Sequence, residues 1–220
     1  LGTNVLTLTQ AQGLGEPVPL PSTALESVLR QDDVESAAAV GTVPDTGVYR
    51  NDFVPAPQTK GLGVLAAWGD VPRVLGGRLA AGRWIDDAAG APPQVVLGAR
   101  AAVVLGIGDP RPDSRVWLGG QWVQVVGVLE PVALAADLDS RVFVPRGFAE
   151  QLGFDGAPTA VYTRVDPAHV ERSRDLLAGA VRPGAPQDVG VTRPSDALAA
   201  KDATDDSFTG LLVGIGGVAL

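Results

Sequence analysis

Apolar and polar positions alternate along several short stretches of the chain, and each stretch predicts an element. Residues 3–9 (TNVLTLT) put Leu6 and Leu8 on one side and Thr7 and Thr9 on the other, the two-residue period of a half-buried strand. A Gly- and Pro-rich loop follows. Thr23 and Glu26 then have the spacing of a capping box, and Leu25, Val28 and Leu29 make a helical apolar stripe. Residues 34–43 return as a strand, so the first unit reads β-α-β. The second half repeats this order. Residues 159–165 read as a strand, Asp166 as an N-cap with Pro167 at the first helical position, and Val170, Leu177 and Val181 as one face of a helix. Pro183-Gly184 stops that helix. Residues 188–192 form a last short strand, and Pro194-Ser195-Asp196 opens another helix.

The middle of the chain has a different rhythm. Two apolar runs, 115–118 and 121–129, flank Gly119-Gly120, which predicts a hairpin with a two-residue turn. Residues 95–97 read as a short strand followed by a small helix over 99–105, and residues 141–144 as a strand ending at Pro145. Two β-α-β units therefore flank a β-rich insert, and the class is mixed α+β.

Composition narrows the picture. A chain of 220 residues with 45% hydrophobic and 19% charged residues can bury a sizeable core and is not disordered. The 28 Gly and 18 Pro imply many turns and few long helices. Net charge is −8, and the 17 basic residues form no cluster, so no nucleic-acid partner is expected. All but Lys60 and Lys201 of the basic residues are Arg, which with the Ala, Gly, Pro and Val excess is the signature of G+C-rich coding. There is no Cys, which removes disulfides and thiolate metal sites. There is also no Met, even at position 1, so the chain is expected to begin partway through a longer protein or to have been processed.

Candidate chemistry is sparse. His169 is the single His, near a helix start and expected at the surface, which leaves no partners for a triad or a multi-His metal site. The carboxylate pairs Asp32-Asp33, Asp86-Asp87, Asp137/Asp139 and Asp205-Asp206 suit turns and caps rather than the defined separation that acid–base catalysis needs. Asp137 and Asp139 could contribute to a calcium site, but further oxygen ligands are not apparent. Gly61-Leu62-Gly63 and Gly106-Ile107-Gly108 have no Walker Lys-Ser/Thr after them. Trp68, Trp84, Trp117 and Trp122 all fall in the middle region. Trp117 and Trp122 flank the Gly-Gly turn in positions that could pair across the hairpin, and core packing is weighed against an exposed partner-binding patch. No catalytic, cofactor-binding or metal residues are assigned, and no cofactor is expected.

Residues 208–220 (FTGLLVGIGGVAL) carry no charge, and Gly210 and Gly214 have the small-xxx-small spacing of lipid-buried helices. The run is shorter than the roughly 20 residues that span a bilayer, and it is read as the first half of a transmembrane helix. Two other readings stand beside it. One is a C-terminal core strand or helix. The other is a dinucleotide fingerprint at Gly214, Gly216 and Ala219, which would need a following helix and an acidic residue about 20 positions on.

The collinear order of several pieces resembles the periplasmic core domain of MacB/FtsX-like ABC transporter permeases. Leu1-Gly2-Thr3-Asn4-Val5-Leu6 resembles the segment after that family's first membrane helix, and Val34-Glu35-Ser36-Ala37 its strand after the first helix. Gly76-Gly77-Arg78-Leu79 with Ala81-Gly82-Arg83-Trp84 resembles its G-x-x-L-x-x-G-R segment. Gln94-Val95-Val96-Leu97-Gly98 with Ala101-Ala102 resembles V-V-L-G-x-x-x-A, and Gly119-Gly120 through Val125-Val126-Gly127-Val128-Leu129 resembles the family's hairpin. Val142-Phe143-Val144-Pro145 resembles its return strand.

The resemblance implies a porter-like subdomain built from residues 1–66 and 132–207, an inserted β-rich, Sabre-like subdomain over 67–131, and the start of a membrane helix at 208–220. It implies an extracytoplasmic domain at the plasma membrane that performs no chemistry itself and transmits ATP-driven motion of the membrane helices to a substrate or partner outside. The partners it implies are a cognate ABC ATPase, a second permease copy, an extracytoplasmic accessory protein, and the membrane through the flanking helices. The alternatives are a membrane-anchored extracellular binding module without an ATPase and a dinucleotide-binding enzyme fragment.

Overall fold

The structure is a computed structural model and describes residues 4–11, 18–54, 60–86, 88 and 92–196. In chain order the elements begin β1 (Val5–Gln10), α1 (Ala24–Leu29), β2 (Val34–Thr42), β3 (Val48–Tyr49), β4 (Gly63–Trp68), α2 (Val71–Leu75) and β5 (Leu79–Gly82). They continue with β6 (Gln94–Leu97), α3 (Ala99–Leu105), β7 (Arg115–Leu118), β8 (Gln121–Leu129) and a 3-10 segment (Ala133–Ser140). The last are β9 (Arg141–Pro145), α4 (Arg146–Gln151), β10 (Ala160–Val165), α5 (Val170–Val181), a short 3-10 turn (Pro186–Asp188) and β11 (Val189–Thr192).

All the strands join one mixed sheet in the order β11-β1-β10-β2-β4-β9-β6-β8-β7-β3, with β5 pairing with β8 off that path. The class is the mixed α+β that the sequence predicts. The two β-α-β units are split, however, and interlock. β10 lies between β1 and β2, and β1 lies between β10 and β11, all antiparallel to their neighbours. The result is a ferredoxin-like arrangement. Beyond it β4 pairs antiparallel with β2 and parallel with β9, carrying the sheet on to the β7–β8 hairpin.

Alternation along each strand divides the core into two layers. Leu6, Leu8, Ala39 and Val161 pack with Leu25 and Val28 of α1 and Leu177 and Val181 of α5, and the same layer takes in α3 and α4. On the opposite face Val5, Val40 and Phe143 pack with Val71 and Val74 of α2 and Leu138 of the 3-10 segment. Polar ties fix the second layer. The Arg164 guanidinium donates to Asn4 Oδ1 at 3.0 Å and to the Val74 carbonyl at 2.7 Å, and Asn4 Nδ2 donates to the Val165 carbonyl at 2.7 Å. These bonds join β1, β10 and α2 through groups that would otherwise cost free energy on burial.

The hairpin forms as the sequence predicts, with Trp117 opposite Trp122. Its turn places Gly119 at φ 59° and Gly120 at φ 77°, the two left-handed positions of a type I′ turn. Where β5 meets β8, the Gly82–Gly127 pair lets two backbones touch. A Cβ on Gly127 would collide with the Arg83 carbonyl, and one on Gly82 with the Val126 carbonyl.

Three local expectations are corrected. Thr23 precedes α1 with φ −91° and ψ 7° and makes no side-chain cap bond, so the Thr23/Glu26 capping box does not form. An N-cap side chain reaches the first turn from an extended backbone, which Thr23 does not have. Leu29, placed on the buried stripe with Leu25 and Val28, is exposed because α1 ends there. Asp166 does not cap α5. Its carboxylate accepts from the Ala168 N–H at 2.8 Å in a local turn, and α5 starts at Val170 behind His169.

Candidate functional site

Of the polar residues singled out in the sequence, His169, Asp33 and Asp166 come together, while the remaining described ones stay apart. His169 is half-exposed, with Nδ1 3.4 Å from Asp33 Oδ1 and 3.5 Å from Asp166 Oδ2. The Asp166 N–H also donates to the Asp33 carbonyl at 2.9 Å, so this cluster closes the ends of β2 and β10 at the start of α5. Asp137 and Asp139 part company. Asp139 Oδ1 accepts from the Val132 N–H at 2.9 Å and holds the 3-10 segment, while Asp137 is exposed. Asp86 accepts from the Ala88 N–H at 3.0 Å within its own turn. Gly106 is the left-handed C-cap of α3. Among the described residues no group of three or more His, Cys, Asp or Glu could hold a metal ion. Asp87, Asp205, Asp206, the apolar run 208–220 and the Gly214, Gly216, Ala219 pattern lie outside the described residues.

The four Trp split between core and surface. Trp68 is buried against Phe154, with ring centroids 5.9 Å apart, and the Arg146 guanidinium sits 5.2 Å over its ring. Trp84 packs on Phe143 at 5.3 Å and donates from Nε1 to the Gly69 carbonyl at 3.0 Å. Trp117 and Trp122 meet edge to face at 5.5 Å, and Trp122 is 44% exposed. Tyr49 stands opposite Trp117 across β3–β7, so three aromatic residues form one row across the tip of the hairpin.

An open groove of about 430 Å³ lies on the sheet face away from α1 and α5. α2 and the 3-10 segment cover only part of this face. The uncovered floor is made by Thr7 and Thr9 of β1, Val40 of β2, Ala160 and Tyr162 of β10 and Thr192 of β11. Threonine and small residues at these positions leave a depression where larger side chains would fill the sheet surface. Leu134, Asp137 and Leu138 form one wall, and Arg141, the first residue of β9, closes one end.

The electrostatics of the groove follow from its partial burial. Burial pushes the Tyr162 phenol well above its usual pKa range. Asp137 pushes it further up, and Arg141 opposes the shift. Arg141 stands opposite Gly63 across the parallel β4–β9 pair, and its guanidinium lies over that glycine, where a Cβ would collide with Nη1. Arg141 Nε is buried without a hydrogen-bond partner, and so is Thr7 Oγ1 on the groove floor. The sequence reading missed this feature, because its residues come from β1 and β2 near the start of the described chain and from β9, β10 and β11 near its end. The one signal in the sequence was the Thr7/Thr9 side of the first alternating stretch.

Comparison with known proteins places the whole arrangement. The family described as MacB-like periplasmic core domain matches residues 1–188. Among solved structures, the periplasmic region of MacB from Actinobacillus actinomycetemcomitans superposes with a TM-score of 0.68 at 13% identity, covering 91% of this chain and 94% of that one. The extracellular domain of the noncanonic ABC-type transporter YknZ from Gram-positive bacteria superposes with a TM-score of 0.62 at 16% identity, covering 86% and 100%. At such identities the likeness is one of fold. No curated protein sequence matches the chain.

Proposed function

This chain belongs to the family of MacB-like periplasmic core domains, and from that membership we propose that it is the extracytoplasmic domain of an ABC transporter permease subunit that transmits ATP-driven motion of flanking membrane helices to a substrate or partner outside the membrane. Residues 1–66 and 132–207 act as the porter-like part and 67–131 as the inserted Sabre-like part. A cognate ATPase supplies the energy, and a second permease copy faces the first at the plasma membrane. An accessory protein on the outer side would meet the insert, where Trp117 and Trp122 lie with Tyr49 of the first part beside them.

One observation supports this reading above the others. β1 and β11 are adjacent and antiparallel, with Thr7 opposite Thr192, so the described chain enters and leaves at the same end of one sheet edge. From that edge the hydrogen-bonded ladder runs without a break through β10, β2, β4, β9 and β6 to the hairpin on the far side. Displacement of two helices joined at one edge is thereby passed to the rest of the domain as rigid-body motion. Among the described residues no helix is long and apolar enough to cross a membrane, so the membrane helices of this proposal lie outside them.

The test uses the full permease reconstituted with its ATPase. The 220 residues contain no Cys, so V103C, at a position 81% exposed on α3, gives a specific spin-label site in this domain. The label-to-label distance between two permease copies is expected to differ between the nucleotide-free and vanadate-trapped states. Identical distance distributions in the two states would sink the transmission role.

A further inference from the structure

The open groove has two features of a binding site rather than of a plain solvated sheet face. The first is the Arg141 guanidinium. It makes no side-chain hydrogen bond or ion pair with any described residue, and its Nε is buried. A partly buried cation with no partner costs free energy that an anion on the groove side would recover. Gly63 opposite it leaves the space that the guanidinium occupies at the groove. The second feature is the polar floor. Thr7, Thr9 and Thr192 present hydroxyls beside the Tyr162 hydroxyl; that of Thr192 donates to the Thr7 carbonyl at 3.5 Å, and Thr7 Oγ1 is buried and unpartnered.

We propose that this groove binds the free C-terminal carboxylate of a short peptide, with Arg141 holding the carboxylate and the threonine hydroxyls meeting the peptide amides. Two observations select a peptide. Amides offer a donor and an acceptor at each unit, which hydroxyls match and a simple anion does not use. The apolar side chains of Val40, Leu134 and Leu138 between the polar groups suit small aliphatic side chains. Burial keeps the Tyr162 phenol protonated, so it remains a donor to a carboxylate. This assignment rests on the groove alone and not on the transport reading, so each can fail without the other.

The experiment titrates the ¹⁵N-labelled chain with N-acetyl-trialanine, with its C-terminal amide and with inorganic phosphate, following backbone amide resonances. The peptide acid is expected to shift Thr7, Thr9, Arg141 and Tyr162 and to bind at least tenfold more tightly than the amide. R141Q is expected to bring the acid down to the level of the amide, and R141K to retain part of the difference. The ratio of acid to amide on the unaltered protein decides the matter even if R141Q does not fold. Equal binding of acid and amide, shifts located elsewhere, or phosphate binding as tightly as the peptide acid would each overturn the proposal. So would peptide binding seen only after the chain is cut at Asp196, because the groove would then be filled by the chain's own continuation.

Discussion

Phe143 offers the sharpest test of the sheet order. Among the described residues it is the largest fully buried side chain, on β9 between β4 and β6, and its ring packs on Trp84 at 5.3 Å. F143A removes the ring from a site with no solvent access, which costs about 3–5 kcal/mol for a buried Phe. That cost includes the lost ring pair with Trp84 and places F143A towards its upper end, about 4–5 kcal/mol. A domain of ordinary stability has about 5–15 kcal/mol to lose, so the variant should be folded but close to its limit. With a urea dependence of about 2 kcal/mol/M, the midpoint should fall by about 2–2.5 M in equilibrium unfolding followed by circular dichroism. F53A is the matched control. Phe53 is 88% exposed, and its removal should change stability by no more than about 0.5 kcal/mol. A loss under about 1 kcal/mol for F143A, or equal losses for the two variants, would refute the central placement of β9.

Two further perturbations test separate parts of the structure. G127A drives a Cβ against the Arg83 carbonyl, where backbone rather than a flexible side chain must move; the same unfolding assay should show a loss of at least about 1–3 kcal/mol, the usual cost of overpacking, and an unchanged midpoint would contradict the β5–β8 contact. Tyr162 makes stability depend on alkaline pH. Because burial raises its folded pKa above the ordinary value near 10, its contribution is complete below about pH 10 and is lost as pH rises towards the folded value, while the unfolded phenol ionises first. Between about pH 10 and 11.5 the wild type should therefore lose up to about 1.4 kcal/mol per pH unit more than Y162F, measured as urea midpoints at each pH, and parallel slopes would show that the phenol is not buried.

The parts of the fold that were legible in the sequence are those in which local chemistry and tertiary packing agree. Gly119-Gly120 dictates a type I′ turn, and the apolar runs beside it could pair in only one register, so the hairpin was readable. The 99–105 helix was readable for a similar reason: Gly98 precedes it and Gly106 ends it. β4 was not readable. Its sequence GVLAAW is buried along nearly its whole length and shows no alternation, because both faces of the sheet are covered there. Thr23 and Asp166 carry capping chemistry, yet their side chains lost to the backbone geometry imposed by the turns before α1 and α5. The groove was illegible for a topological reason. Only the interleaving of β1 between β10 and β11 brings Thr7, Tyr162 and Thr192 into one row, and no spacing in the chain encodes that.

The pairing of β1 with β11 also sets how this domain bears load. Thr192 faces Thr7 and Val189 faces Gln10, so the two strands leave the sheet side by side at one end. A force that moves both exits together loads the whole ladder at once and leaves it intact. A force that splays them apart acts on one hydrogen bond at a time, peeling β11 from Thr192 back towards Val189 like a zipper. β11 is four residues long and sits on the edge with a single neighbour, so it is the mechanical fuse of the domain. The rest of the sheet, including the groove floor on β1 and β10, would be stiff to common displacement of the two exits and would give way at this seam if they were drawn apart.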